Sequence, residues 1–137
     1  MRRLFRLDDT KRQHVTGSLV TALETAPDVV FAHLHGSFVS EPAFHDVDVA
    51  VWLAGPADQR TAWVVELADT LSTKTGLPVD VRALNDAALS FRFHALRGLP
   101  LVSRDDEVRA TVIEDTARGY HDIEPLLRQA ARDAGRR

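Results

Sequence analysis

Three aspartates in this chain stand in apolar company. Asp46-Val47-Asp48 opens a run that continues Val49-Ala50-Val51-Trp52-Leu53, and Asp80 sits between Val79 and Val81. Acids are ordinarily kept out of such stretches. Alternate residues of a strand face the same way, so Asp46 and Asp48 are expected to project side by side, about 7 Å apart. Val47, Val49, Val51 and Leu53 then point to the opposite face. Carboxylates so arranged repel one another unless a cation lies between them. All-oxygen ligands of this hardness favour Mg²⁺, which keeps waters and takes substrate phosphates as further ligands. If the strand carrying Asp80 pairs beside Asp46–Leu53, the third acid joins the cluster, and three acids can hold two ions.

Ahead of the acids lies His35-Gly36-Ser37, separated from Asp46 by eight residues, Phe38 to His45. Gly36 permits a tight turn and close approach to a phosphate. Ser37 can hydrogen-bond a phosphate oxygen through hydroxyl and amide. Alone, a Gly-Ser is ordinarily a turn and an Asp-x-Asp a loop or cap. Their conjunction with strands on either side, and with a later strand that carries Asp80, is what points to a metal-dependent phosphate site. Arg82, two residues beyond Asp80 on the same strand face, can meet a phosphate or pair with an acid. His45 can donate to a phosphate or simply bond a neighbour.

The elements that must position these residues alternate in type. Apolar spacing at Val15, Leu19 and Leu23 predicts a helix over Thr10–Thr25, closed by Pro27-Asp28. Val29–His35 reads as a buried strand and Phe38–His45 as a loop. Asp46–Leu53 is the second strand, and Gly55-Pro56 stops it. Trp63, Leu67 and Leu71 mark one face of a helix over Asp58–Lys74, with Gly76 as its C-terminal cap. Pro78–Leu84 is the third strand. Asn85 or Asp86 is expected to cap a helix over Ala87–Arg97. Gly98–Val102 turns into a short extended piece. Asp105 or Asp106 opens a last helix to about Ala131, with Pro125 as a kink or break, and residues 132–137 fray. The order is α-β-β-α-β-α-(β)-α, an α/β (α+β) fold with a mixed β-sheet flanked by helices, in one domain over 1–137.

Trp52 and Trp63 read as core. Arg92, Phe93, Arg97 and Tyr120 fit helix packing better than a partner surface. The charges from Arg104 to Arg118 read as a solvated face with i,i+4 pairs.

Composition bounds the function. Of 137 residues, 45% are hydrophobic and 27% charged, a globular balance. A net charge of −3 argues against direct DNA binding. With no cysteine, disulfides and thiolate metal sites are excluded. No apolar run is long enough to span a bilayer, and Met1–Asp9 lacks the apolar core of a secretory signal, so a cytoplasmic location is expected.

His35-Gly36-Ser37-Phe38, then Asp46-Val47-Asp48-Val49-Ala50-Val51, then Val79-Asp80-Val81, resembles the signature of the DNA-polymerase-β-like nucleotidyltransferase superfamily. In length, and in the helix, short strand and final helix after Asp80, the chain is similar to the minimal nucleotidyltransferases, the MntA-like antitoxins. Leu89–Leu101 and the segment around Tyr120-His121-Asp122 look like that ending. The likeness implies transfer of AMP from ATP, with two Mg²⁺ ions, to a tyrosine hydroxyl of a HEPN-type toxin. Asp46 and Asp48 would hold both ions, Asp80 would complete the catalytic one and favour deprotonation of the acceptor, and Gly36 and Ser37 would hold the β- and γ-phosphates. The family's usual spacer after the serine is ten residues, often with an early Gly-Arg. Here it is eight without a basic residue, so Arg82 or a partner is the expected source of positive charge. The alternative is an antitoxin that masks its toxin by contact alone. Transfer to a small molecule is less favoured, because no second domain is there to build an acceptor pocket, although dimerisation could supply one, and the sequence leaves homo-oligomerisation open.

Overall fold

A computed structural model describes residues 2–135. Its central sheet has four strands in the order β5-β4-β2-β6. These are β2 (Val29–His35), β4 (Val47–Leu53), β5 (Val79–Ala83) and β6 (Leu99–Ser103). β2 runs antiparallel to β4 and β6, whereas β4 and β5 are parallel. A separate two-stranded ribbon joins β1 (Phe5–Arg6) to β3 (Ala43–Phe44). The sheet is mixed and helix-flanked, as the order of elements predicts.

Strand alternation sorts the side chains between two apolar layers. Val47, Val49, Val51 and Leu53 pack with Ala32, Leu34, Val79 and Val81 against α1 (Asp9–Glu24) and α3 (Arg60–Thr75), which contribute Leu19, Leu23 and Leu71. On the opposite face Phe31, Ala50 and Leu84 form a smaller cluster with Ala95 of α4 (Leu89–Leu96) and Val112 of α5 (Asp106–Gly135). Trp52 and Trp63 are half-buried flanks of these clusters rather than centres. Phe93 of α4 stacks on Tyr120 of α5 with centroids 3.9 Å apart, so this pair joins two helices, and Arg92 lies over Trp52.

Several local expectations change. The stretch read as a loop, Phe38–His45, is partly regular: α2 (Ser37–Ser40) is a single turn and β3 follows it. A four-residue turn and a two-residue strand are too short for periodicity to reveal. β4 starts at Val47, which leaves Asp46 just ahead of the strand. A 3₁₀ turn, Ala57–Gln59, precedes α3. Gly76 caps α3 as expected, at φ 72° and ψ 15°. Neither Asn85 nor Asp86 caps α4, which begins at Leu89 after an Ala88 with no capping side chain. Asn85 instead accepts from Leu53 N–H and donates to Leu53 C=O, both at 3.0 Å, so its amide continues the β4–β5 ladder past the end of β5. Asp86 pairs with Arg60 at 2.6 Å.

Among the described residues Arg104 forms no helix-face ion pair. It donates to the carbonyls of Val29, Leu23, Glu24 and Ala26, covering the C-terminal end of α1. α5 passes through Pro125 unbroken to Gly135. The proline removes one donor to the carbonyl of His121, an exposed residue where water can serve instead. Of the tail read as frayed, residues 132–135 are helical and 136–137 lie outside the described residues. Among the described residues no helix is long and apolar enough to cross a membrane.

Candidate active site

β2, β4 and β5 lie side by side, and their register sets one row of side chains across the sheet. His35 is opposite Asp48, and Asp48 is opposite Asp80. The next row on this face is His33, Ala50 and Arg82. The pairing of the third strand with the second therefore brings Asp48 and Asp80 together on the face that α4 and α5 cover only further along.

Gly36 follows directly from β2 with φ 80°, a left-handed conformation that suits glycine. A Cβ built on it would lie 2.2 Å from Oδ2 of Asp48. The backbone of the Gly-Ser turn thus rests against the central acid, and only glycine permits that approach.

Burial, with Asp80 and then Asp46 alongside, pushes the Asp48 carboxyl up to about 6 against the weaker opposing pull of Arg2 and Arg82. A carboxylate held among like charges in a half-buried position has an unmet need for positive charge. Burial, then Arg82, lowers the pKa of His35, with Asp80 acting in the other direction. His35 accordingly adds no cation.

Asp46 behaves differently from its two companions. It is ion-paired with Arg2, with side chains 34% and 66% exposed respectively. Exposed pairs of this kind hold weakly. Among the described residues no group of three or more His, Cys, Asp or Glu side chains is gathered closely enough to hold a metal by itself. Asp48 and Asp80, in register on adjacent strands, would supply only part of a coordination shell. That fits a hard divalent cation whose remaining ligands are waters and phosphate oxygens. The donor set is all oxygen, and the crowding of like charge around Asp48 is what such an ion would relieve.

Arg82 lays its guanidinium 3.8 Å from the centroid of Phe91, which holds the cation near the acids without an ion pair to any of them. Phe91 also meets His35 edge-on at 5.5 Å. His45 donates from Nδ1 to the carbonyl of Arg3 at 2.9 Å, which tethers the N-terminal segment rather than tuning Asp46.

Sequence reasoning missed the residue that shapes the spacer. Arg12 of α1 donates to the carbonyls of Leu7, Phe38, Glu41 and Pro42, and its guanidinium lies 5.2 Å from the Phe38 and Phe44 rings. The spacer does have a cation beside it, but that cation is spent on backbone oxygens. Its partners in the spacer are 26 to 30 positions away. No local spacing could have exposed this.

A family model described as polymerase β, nucleotidyltransferase matches residues 18–107, which contain the Gly-Ser turn and all three aspartates. No curated protein matches. Among solved structures, one described as tri-AMPylated Shewanella oneidensis HEPN toxin in complex with MNT antitoxin contains a chain 22% identical, with a TM-score of 0.68, over 92% of this chain and 99% of that one. A toxin–antitoxin structure described as MntA-HepT gives 21% identity and a TM-score of 0.67 over 91% and 99%. A toxin–antitoxin structure with AMP-PNP gives 21% and 0.69 over 89% and 98%. At these identities the likeness is one of fold.

Proposed function

The chain belongs to the polymerase β nucleotidyltransferase family, and from that premise we propose that it transfers AMP from ATP to a hydroxyl of a partner protein, as the antitoxin of a HEPN/MNT pair acting in the cytoplasm. The observation that carries the reading is the placement of Asp48 opposite Asp80 with the Gly36 backbone against Asp48. The solved toxin–antitoxin structures of the same fold, one with an AMPylated toxin and one with AMP-PNP, support the choice of nucleotide and partner.

In this reading the chain's residues position two reactants and manage charge. Ser37 bonds the phosphates while Gly36 lets the backbone lie close to them. Arg82, pre-oriented on Phe91, adds positive charge beside the acids. The acceptor hydroxyl oxygen forms a bond to the α-phosphorus as the bond from that phosphorus to the α–β bridging oxygen breaks. Pyrophosphate departs, and the hydroxyl proton passes to a carboxylate oxygen of Asp80. Asp46, Asp48 and Asp80 are the residues that would hold Mg²⁺, which supplies neutralisation of the phosphate charge and activation of the attacking oxygen. Asp46 must give up Arg2 to take part.

The Arg2–Asp46 pair is also the one observation that favours a second reading, in which the chain neutralises a toxin by contact alone. One experiment separates the two. The chain is mixed with Mg²⁺, labelled ATP and the protein encoded beside it. Label on that protein is expected, together with its loss when Asp46 and Asp48 are both replaced by Ala. Label that survives the double replacement refutes the assignment of these acids. A partner that is neutralised yet unlabelled supports masking.

A further inference from the structure

On the side of Gly36 away from Asp80 lies a small pocket of about 260 Å³, lined by His35, Gly36, Ser40, His94, Arg97 and Gly98 among others. That volume is below the roughly 300–1,000 Å³ of pockets that enclose a whole small-molecule ligand. It suits the end of a polyphosphate better than a nucleoside. None of its lining residues carries a carboxylate.

The pocket is built by a close approach. A Cβ on Gly98 would lie 2.1 Å from the carbonyl oxygen of Leu34 and 3.1 Å from the Cβ of His35. Glycine at 98 therefore lets the end of α4 press against the end of β2, which brings Arg97 beside the Gly-Ser turn. The last-turn carbonyls of His94 and Ala95 receive the N–H groups of Arg97 and Gly98, so they do not offer unpaired negative dipoles to the pocket. The Arg97 guanidinium lies 5.6 Å from the Phe93 centroid, and no salt bridge among the described residues involves it. Arg12 is committed to backbone carbonyls and Arg2 to Asp46. Of the described arginines near the turn on this flank, Arg97 is the one placed to meet a ligand.

We propose that this pocket receives the terminal phosphate of the nucleoside triphosphate and that Arg97 supplies its charge. Gly36 stands between the two halves of the site, facing Asp48 on one side and the pocket on the other. A triphosphate laid across it has its α-phosphate at the acids and its tail at the guanidinium. The inference rests on the nucleotide reading above and adds to it the residue that compensates for a spacer without arginine.

The test is calorimetric titration of ATP, ADP and AMP, with Mg²⁺, into the full chain and into Arg97→Ala, Arg97→Lys and Ser40→Glu. Arg97→Ala is expected to weaken ATP about tenfold, as loss of one charged hydrogen-bonding partner does, and to leave AMP unchanged. Arg97→Lys should recover part of the loss, since it keeps the charge but not the fork. Ser40→Glu, which adds a negative charge to the pocket, should weaken ATP as well. In transfer assays Arg97→Ala should raise KM for ATP and largely spare kcat. Equal weakening of ATP and AMP, or unaltered ATP binding by Arg97→Ala, overturns the proposal while the nucleotidyltransferase reading stands. Failure of the unaltered chain to bind ATP overturns both.

Discussion

The Cβ that Gly36 lacks would fall 2.2 Å from Oδ2 of Asp48. Gly36→Ala must therefore displace either the turn or the acid, and it also places a side chain at φ 80°. The expected result is loss of transfer by at least about a hundredfold, as misplacing reacting groups by an ångström does, with a destabilisation of about 1–2 kcal/mol from the left-handed backbone. Transfer kinetics and urea unfolding of the variant check both numbers.

Asp48 should be a residue at which function opposes stability. It stands in register with Asp80 and near Asp46. Asp48→Asn removes one of the like charges and keeps the shape. Metal-free protein carrying Asp48→Asn is expected to be more stable than the parent by about 1 kcal/mol and inactive in transfer. A drop in its unfolding midpoint would mean that the carboxylate is held by favourable contacts instead.

Arg12 predicts the opposite, a residue needed for architecture with no part in chemistry. Its four carbonyl partners and two rings knit α1 to the spacer. Arg12→Ala should cost about 1–2 kcal/mol, since the part-buried carbonyls of Leu7 and Phe38 lose a charged donor while those of Glu41 and Pro42 are open to water. Arg12→Lys should recover little, because an ammonium cannot span partners set out for a planar fork. Chemical denaturation of both variants decides this.

His33 makes stability depend on pH. It is buried, and its Nε2 accepts from Arg109 Nε at 3.0 Å, so the neutral ring is the one that fits. Burial, then Arg109 and His35, lowers its pKa from 6.5 to about 4. The unfolded chain therefore binds the proton more readily than the folded one between these values. The contribution of neutral His33 is complete above about pH 6.5 and falls away as the pH drops toward 4, by up to about 3 kcal/mol. Unfolding free energies of the parent and His33→Gln at pH 7 and pH 4.5 should show the parent losing more. Parallel losses in the two proteins would remove His33 as the cause.

Strand chemistry was the most legible layer of the sequence. Val29–His35 forms the strand that its apolar run announces, and β4 begins one residue later than read. Strand periodicity put Asp48 and Asp80 each on one face of its strand, whereas their being neighbours stood as a condition that the parallel pairing of β4 with β5 meets. What stayed hidden depends on contacts made far along the chain. Arg12 finds the spacer, Arg2 finds Asp46, and Asn85 turns from a cap into a ladder partner for Leu53. Arg97 was legible only as a charge on a helix. Its place beside the Gly-Ser turn depends on the tight fit of Gly98 against Leu34, which no spacing encodes.

The outer strand β6 carries Pro100, opposite His33, and a register shift beside it. Proline has no amide hydrogen to offer, and an irregular margin makes a poor template for another chain's strand. Recruitment of a foreign β-segment along this border is thereby discouraged, both as aggregation and as a mode of recognition.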